Sequence, residues 1–307
     1  MELGFILFWQ IALMFVMMMM GYGMYKINRL SSVGSKEMGA LLLYVVTPII
    51  IMRAYTVEYT AERAFNMLIA LALALFSVLF SIVISKIIFK HEGIENFSAT
   101  YSNAGFMGIP LVQATLGSEA VFYLSAYLAV MVFIQWILGV VMITGDKTHT
   151  SIKRVLTNPV ILGILGGLAI FFMQISLPKF VLDVFNIISG MNSPLAMLVL
   201  GVYLAQIQWI SLVNSWKIVG VSFVRLLLIP LIIGSLMIFI SNDYYMIKMV
   251  TLIAFSAPVG FSVAILAQQF DKDYFQAVRY ICHSTLFSII TMPIIVVLMD
   301  MIWRNFG

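Results

Sequence analysis

Ten apolar runs, each near the length that crosses a bilayer, follow one another along this 307-residue chain. They lie at about 4–25, 37–53, 65–89, 98–117, 120–143, 155–175, 188–208, 215–240, 246–268 and 275–303. A helix needs about 20 apolar residues to cross roughly 30 Å of hydrocarbon. Backbone groups in hydrocarbon must pair internally, so helices or closed barrels are the options. The runs are long and do not alternate, which speaks against barrel strands. With 63% hydrophobic and 10% charged residues, the chain lies far from soluble composition. The expected fold class is an all-α polytopic membrane protein with the lipid bilayer as its first partner.

The first run, Leu3–Met24, follows Glu2 rather than a basic stretch, and no small-residue cleavage site succeeds it. It is expected to be a transmembrane helix rather than a leader. The Met17–Met20 run reads as gap-filling packing. Cys282 is the single cysteine, so neither an intrachain disulfide nor a cysteine metal site is expected.

With ten spans and both termini outside, eleven basic residues fall on the cytoplasmic side, among them Lys26, Lys36, Lys86, Lys147, Lys153 and Lys217. Five fall outside: Arg53, Arg63, Lys179, Lys248 and Arg304. The positive-inside rule therefore favours extracytoplasmic termini in the cell membrane. The basic residues form no cluster with aromatic platforms, so nucleic acid is not an expected partner.

The longest polar connection, Thr144–Arg154, divides the chain into 1–143, a linker at 144–154, and 155–307. Five spans per half make the halves opposite in orientation, which implies an inverted-topology repeat. Prolines support it: Pro48 and Pro110 in the first half recur at nearly the same separation as Pro194 and Pro258 in the second. Residue identity between the halves is weak. Gly163, Gly166 and Gly167 in the sixth segment read as close helix packing.

The fourth segment holds Gly105, Gly108 and Pro110 within six residues, directly after Asn103. Glycine permits unusual backbone angles and proline removes a donor, so about one turn is expected to unwind there. Such backbone is tolerated at depth only where it is buried in protein or lines a cavity. The ninth segment carries a similar set, Ser256, Pro258, Gly260 and Ser262. Two such breaks from inverted halves are expected to cross near the midplane. Their half-helix N-termini suit an anion and their carbonyls a cation. In the seventh segment Asn192 precedes Pro194, and in the second Thr47 precedes Pro48. Helix entry, which fits Pro194 better than Pro48, and cavity lining are both open readings there.

Arg225 is the one formal charge deep in a segment. It either snorkels, bonds unwound carbonyls, or attracts an anion. No Asp or Glu is expected at clear mid-depth, which leaves a carboxylate proton relay unsupported. His283 in the tenth segment either titrates near neutrality or packs. His91, His149 and His283 are scattered and do not suggest a metal or an enzyme site.

Asn103-Ala-Gly-Phe-Met-Gly-Ile-Pro-Leu111 resembles the fourth-span signature of the auxin efflux carrier family. Ala257-Pro-Val-Gly-Phe-Ser-Val-Ala-Ile-Leu-Ala-Gln268 resembles its ninth-span motif. Met191-Asn-Ser-Pro-Leu-Ala-Met-Leu-Val-Leu-Gly201 and Arg225-Leu-Leu-Leu-Ile-Pro230 also fit the family pattern, so the resemblance covers essentially the whole chain. It implies a ten-helix fold like that of sodium/bile-acid symporters. Spans 1, 2, 6 and 7 would form a scaffold and homodimer face, and spans 3–5 and 8–10 a transport unit. It implies an organic-anion substrate held at Asn103 and around Pro110 and Pro258, with sodium, a proton or no ion coupled and no cofactor. Plant members often carry a long central loop. The short Thr144–Arg154 connection resembles prokaryotic members instead and departs from the pattern of auxin carriers. The expected function is a secondary transporter of a small organic anion, not an enzyme. The alternative is a membrane sensor that binds its ligand without moving it.

Overall fold

The computed structural model describes residues 2–90, 92–213 and 215–306; His91 lies outside the described residues. Among the described residues eight helices are long and apolar enough to cross a bilayer. In chain order the first three are α1 (Leu3–Lys26), α2 (Ser32–Ala54) and α3 (Ala61–Phe89). Two shorter helices follow, α4 (Gly93–Thr100) and α5 (Ala104–Leu116). Next come α6 (Ala120–Thr144), α7 (Lys147–Met173), α8 (Lys179–Ala205) and α9 (Trp216–Phe239). A second short pair, α10 (Tyr245–Ser256) and α11 (Ser262–Gln269), precedes the long α12 (Tyr274–Asn305). The fourth and ninth apolar segments are thus each split in two.

Local chemistry sets the helix starts. Ser31 Oγ accepts the Gly34 N–H at 3.0 Å ahead of α2, and Thr60 Oγ1 accepts the Arg63 N–H at 3.0 Å ahead of α3. Both satisfy donors that a helix N-terminus leaves unpaired.

Three prolines are absorbed without breaking the chain's helical course. The turns Leu42–Val46, Ala104–Gly108 and Val224–Leu228 are π-helical, and each ends two residues before a proline, at Pro48, Pro110 and Pro230. A proline ring clashes with the carbonyl four residues back. Widening the preceding turn to i→i−5 bonding relieves that clash and keeps the carbonyls paired, as in Gly108 N–H to Asn103 O at 3.1 Å. A fourth π turn, Gln135–Gly139, has no proline after it, and nothing in the structure explains it.

This corrects the expected position of the first break. The Gly105–Pro110 stretch stays helical, and the non-helical residues are Tyr101, Ser102 and Asn103 just before it. Pro194 lies in the first turn of the helical stretch Asn192–Ala205, which resumes after the single turn residue Met191, as the helix-entry reading expects. The stretch Lys179–Gly190 precedes it in the same span.

Packing sorts the helices. α1 lies along the second half of α8, and the proline-containing end of α2 packs on α7. α3 packs on α6, α4 and α10, while α12 carries α9 and α11. Small residues permit the closest contacts, as tight packing in lipid requires. A Cβ on Gly201 would stand 2.0 Å from Met18 O, and one on Gly21 would stand 2.3 Å from Leu198 O. Gly163 and Gly167 of α7 abut Pro48 and Tyr55.

Gly201→Ala is therefore expected to force α1 and α8 apart and lower the unfolding temperature in detergent, by an overpacking cost of about 1–3 kcal/mol. Gly220→Ala meets nothing within 4 Å and is expected to be neutral or stabilising through helix propensity. Equal melting of the two variants would refute the close-packing account.

Candidate functional site at the paired breaks

The two non-helical segments bond to each other. Asn103 N–H donates to Pro258 O at 2.8 Å, and Gly260 N–H donates to Tyr101 O at 3.0 Å. Ser102 and Val259 form an antiparallel bridge between them. The Val259 N–H, pointing away, donates to Ser284 Oγ of α12 at 3.0 Å. Gly260 is required by this approach, because a Cβ there would lie 2.9 Å from Ser102 O. Each segment thus completes part of the other's backbone bonding.

A cavity of about 400 Å³ opens against this pair. Thr47, Asn103, Gly105, Gly260 and Ser262 line it, and the first turns of α5 and α11 abut its blind end. Lys36, Gln268 and Tyr274 line its mouth, and Lys36 is the only charged side chain among the lining residues. The walls carry six rings: Tyr44, Phe106, Trp136, Tyr203, Phe261 and Tyr274. Elsewhere the end of α2 packs on α6 and α7. Tyr55 bonds Ser125 Oγ through its hydroxyl at 2.6 Å, and its ring stands 4.8 Å from that of Phe122, which meets Phe171 at 4.9 Å.

Of the residues singled out in the sequence, Thr47, Asn103, Gly105, Gly260 and Ser262 are thus brought together on one surface. Two of them carry buried polar atoms without a partner among the described residues, Thr47 Oγ1 and Asn103 Nδ2. Gly108, Pro110, Ser256 and Pro258 sit behind that surface and do not line it. Asn192 is buried away from it. His283 is held through Nδ1 by Ser222 Oγ of α9 at 2.6 Å and stacks on Phe287, also away from the cavity.

Arg225 does not snorkel. It is fully buried, and its Nη1 donates to Ala99 O at 3.0 Å and Thr100 O at 2.7 Å. Those are the last carbonyls of α4, left without helical partners by the break and carrying the negative end of its dipole.

Sequence reasoning missed Glu95, because it began the fourth segment at 98. The helix starts at Gly93 and buries Glu95, which accepts a bond from Tyr280 Oη at 2.8 Å and lies 3.9 Å from Lys217 Nζ. Lys217 also pairs with Glu92. A glutamate two residues past a glycine helix start was the available signal.

A protein-family model described as membrane transport protein matches residues 6–154 and 146–296. The chain belongs to that family, the transporters of auxin-efflux-carrier type. It is a multi-pass membrane transporter and not an enzyme. No curated protein matches it.

In this transporter Arg225→Ala would leave the Ala99 and Thr100 carbonyls unpaired, at roughly 1–3 kcal/mol each. The variant is expected to melt well below wild type. Arg225→Lys, which keeps a cation and a donor, is expected to fall between. Wild-type melting of Arg225→Ala would overturn the capping role.

Proposed function

We propose that this protein is a secondary carrier that moves a small organic anion, a carboxylate, across the cell membrane by alternating access. The observation that carries this reading is the blind end of the cavity. Two helix N-termini, those of α5 and α11, and Asn103, whose Nδ2 has no partner among the described residues, meet there, and no acidic side chain is among the lining residues. A helix N-terminus carries roughly half a positive charge and presents free N–H groups, which suits a carboxylate. The ring-rich walls suit an apolar body behind it.

In this reading α4 with α5 and α10 with α11 each make one interrupted crossing, which brings the total to ten. The crossings fall as five plus five, inverted, with the broken pair crossing at Ser102 and Val259. The packing of α1 on α8 and α2 on α7 supports a scaffold, and α3–α6 with α9–α12 then form the moving unit. Termini outside the cell place the cavity mouth, with Lys36, on the cytoplasmic side, in keeping with the basic bias. A homodimer through the scaffold and a prokaryotic origin follow from the family resemblance. Sodium, a proton or no ion is compatible with the site.

The test is thermal stabilisation of purified protein across mono- and dicarboxylates, with and without sodium. A ligand that binds only the folded state, at a hundred times its Kd, adds about 2.7 kcal/mol of stability. At least one carboxylate is expected to raise the melting temperature. Asn103→Ala is expected to melt like wild type without ligand and to lose the shift. No shift with any carboxylate, or a full shift in Asn103→Ala, would overturn the reading.

A further inference from the structure

Among the described residues Arg225 Nε and Nη2, Ser98 Oγ, Ser256 Oγ and Thr285 Oγ1 are also buried without a partner, but such atoms gather most densely along the chain in α8. Asn192 is 2% exposed, and neither its Oδ1 nor its Nδ2 has a partner among the described residues. Ser193 Oγ beside it and Ser189 Oγ one turn earlier are also unpartnered. One short stretch of α8, around the turn residue Met191, thus holds four such atoms.

The register of α2 against α8 gives the level of this stretch. Arg53 Nε donates to Asn186 Oδ1 at 2.9 Å, which ties the end of α2 to the first half of α8. From that pair α2 runs back to Thr47 while α8 runs forward to Asn192, six residues in each case and about 9 Å of helix. Thr47 and Asn192 therefore sit at one level. Thr47 lines the open cavity and Asn192 does not. The first turn of α5, which begins beside Asn103, packs against the second half of α8.

Buried polar side chains are ordinarily paired, and an amide with both ends free is an exception that calls for a reason. We propose that Asn192 belongs to the half of the binding site that opens to the opposite face. Its amide is dry and unpaired here. It gains partners when the α3–α6 and α9–α12 unit moves along α1, α2, α7 and α8. Nδ2 and the neighbouring hydroxyls then hold the carboxylate that Asn103 holds from the present side, and Oδ1 takes water. This extends the carrier reading above, and the class of ligand rests on it.

Single cysteines test the idea in protein whose one native cysteine, Cys282, is replaced by serine. Lys36→Cys marks the mouth of the present cavity. A membrane-impermeant maleimide is applied to right-side-out and inside-out vesicles. Lys36→Cys is expected to react from one face only, and Asn192→Cys from the other face only. Labelling of Asn192→Cys from the same face as Lys36→Cys would overturn the proposal. So would failure to label from either face while Lys36→Cys reacts. Ser193→Cys carries the same test if Asn192→Cys does not fold. Asn192→Leu, of similar size but without polar atoms, supplies an independent readout. A packing role predicts unchanged transport, whereas the proposal predicts at least a tenfold loss of transport with melting unchanged or raised. The labelling needs no substrate. Opposite sidedness without any carboxylate binding would refute the anion reading and leave the opening intact.

Discussion

Eight residues leave the helix in the two interrupted segments, Tyr101–Asn103 on one strand and Ala257–Phe261 on the other, and their peptide groups find each other. An unpaired backbone group in hydrocarbon costs several kcal/mol. Neither segment could hold this shape alone. The mutual bonds from Asn103 to Pro258 and from Gly260 to Tyr101 remove that cost at the centre. Ser284 and Arg225 remove it at the edges, the first for the Val259 N–H and the second for the carbonyls that end α4. The positions of α9 and α12 follow, because each supplies one of those side chains. The same arrangement leaves the Asn103 amide free to face a cavity.

Proline acts here through the turn before it. At Pro48, Pro110 and Pro230 the preceding turn widens to a π turn and the helix continues. At Pro258 the helix stops altogether, since Gly260 and the opposing strand offer the backbone other partners. Pro293 sits inside the continuous α12. The same residue thus widens, ends or merely interrupts a helix according to what can accept the bond it displaces. The π turns also aim side chains. Arg225 lies in the turn ahead of Pro230, which directs its guanidinium to the end of α4 rather than outward.

Much of the architecture was legible in the chain because bilayer thickness imposes a length that composition reveals. The helical class, the two interrupted segments and the gathering of Asn103, Gly105, Gly260 and Ser262 could all be read from apolar runs and helix breakers. What could not be read were the points at which long-range partners decide. The break falls at 101–103 rather than at Pro110 because the carbonyls there meet Gly260 and Arg225, which are distant in sequence. Pro194 was legible as a first-turn proline, but the helical stretch Lys179–Gly190, which precedes it in the same span and packs on α2, was not. Glu95 escaped notice because a carboxylate argues against a span until its partners, Tyr280 and Lys217, are known.

The electrostatics of the centre turn on where Arg225, a fully buried cation, is used. If Arg225 faced the cavity it would hold an anion tightly, and a carrier must also let go. It is instead committed to the negative end of α4, one layer behind the surface. There it offsets the dipole end that would otherwise oppose an anion at Asn103. The cavity is left with the positive ends of α5 and α11, fractional charges made of peptide groups. Such charges do not titrate and cannot swing away on a flexible side chain. In the proposed carrier they would attract a carboxylate, each more weakly than a full cation. Release would then require only that the donors at the two helix starts separate or hydrate. Because those starts follow the two paired segments, anything that shifts one segment against the other would, in the proposed carrier, alter the affinity of the site directly.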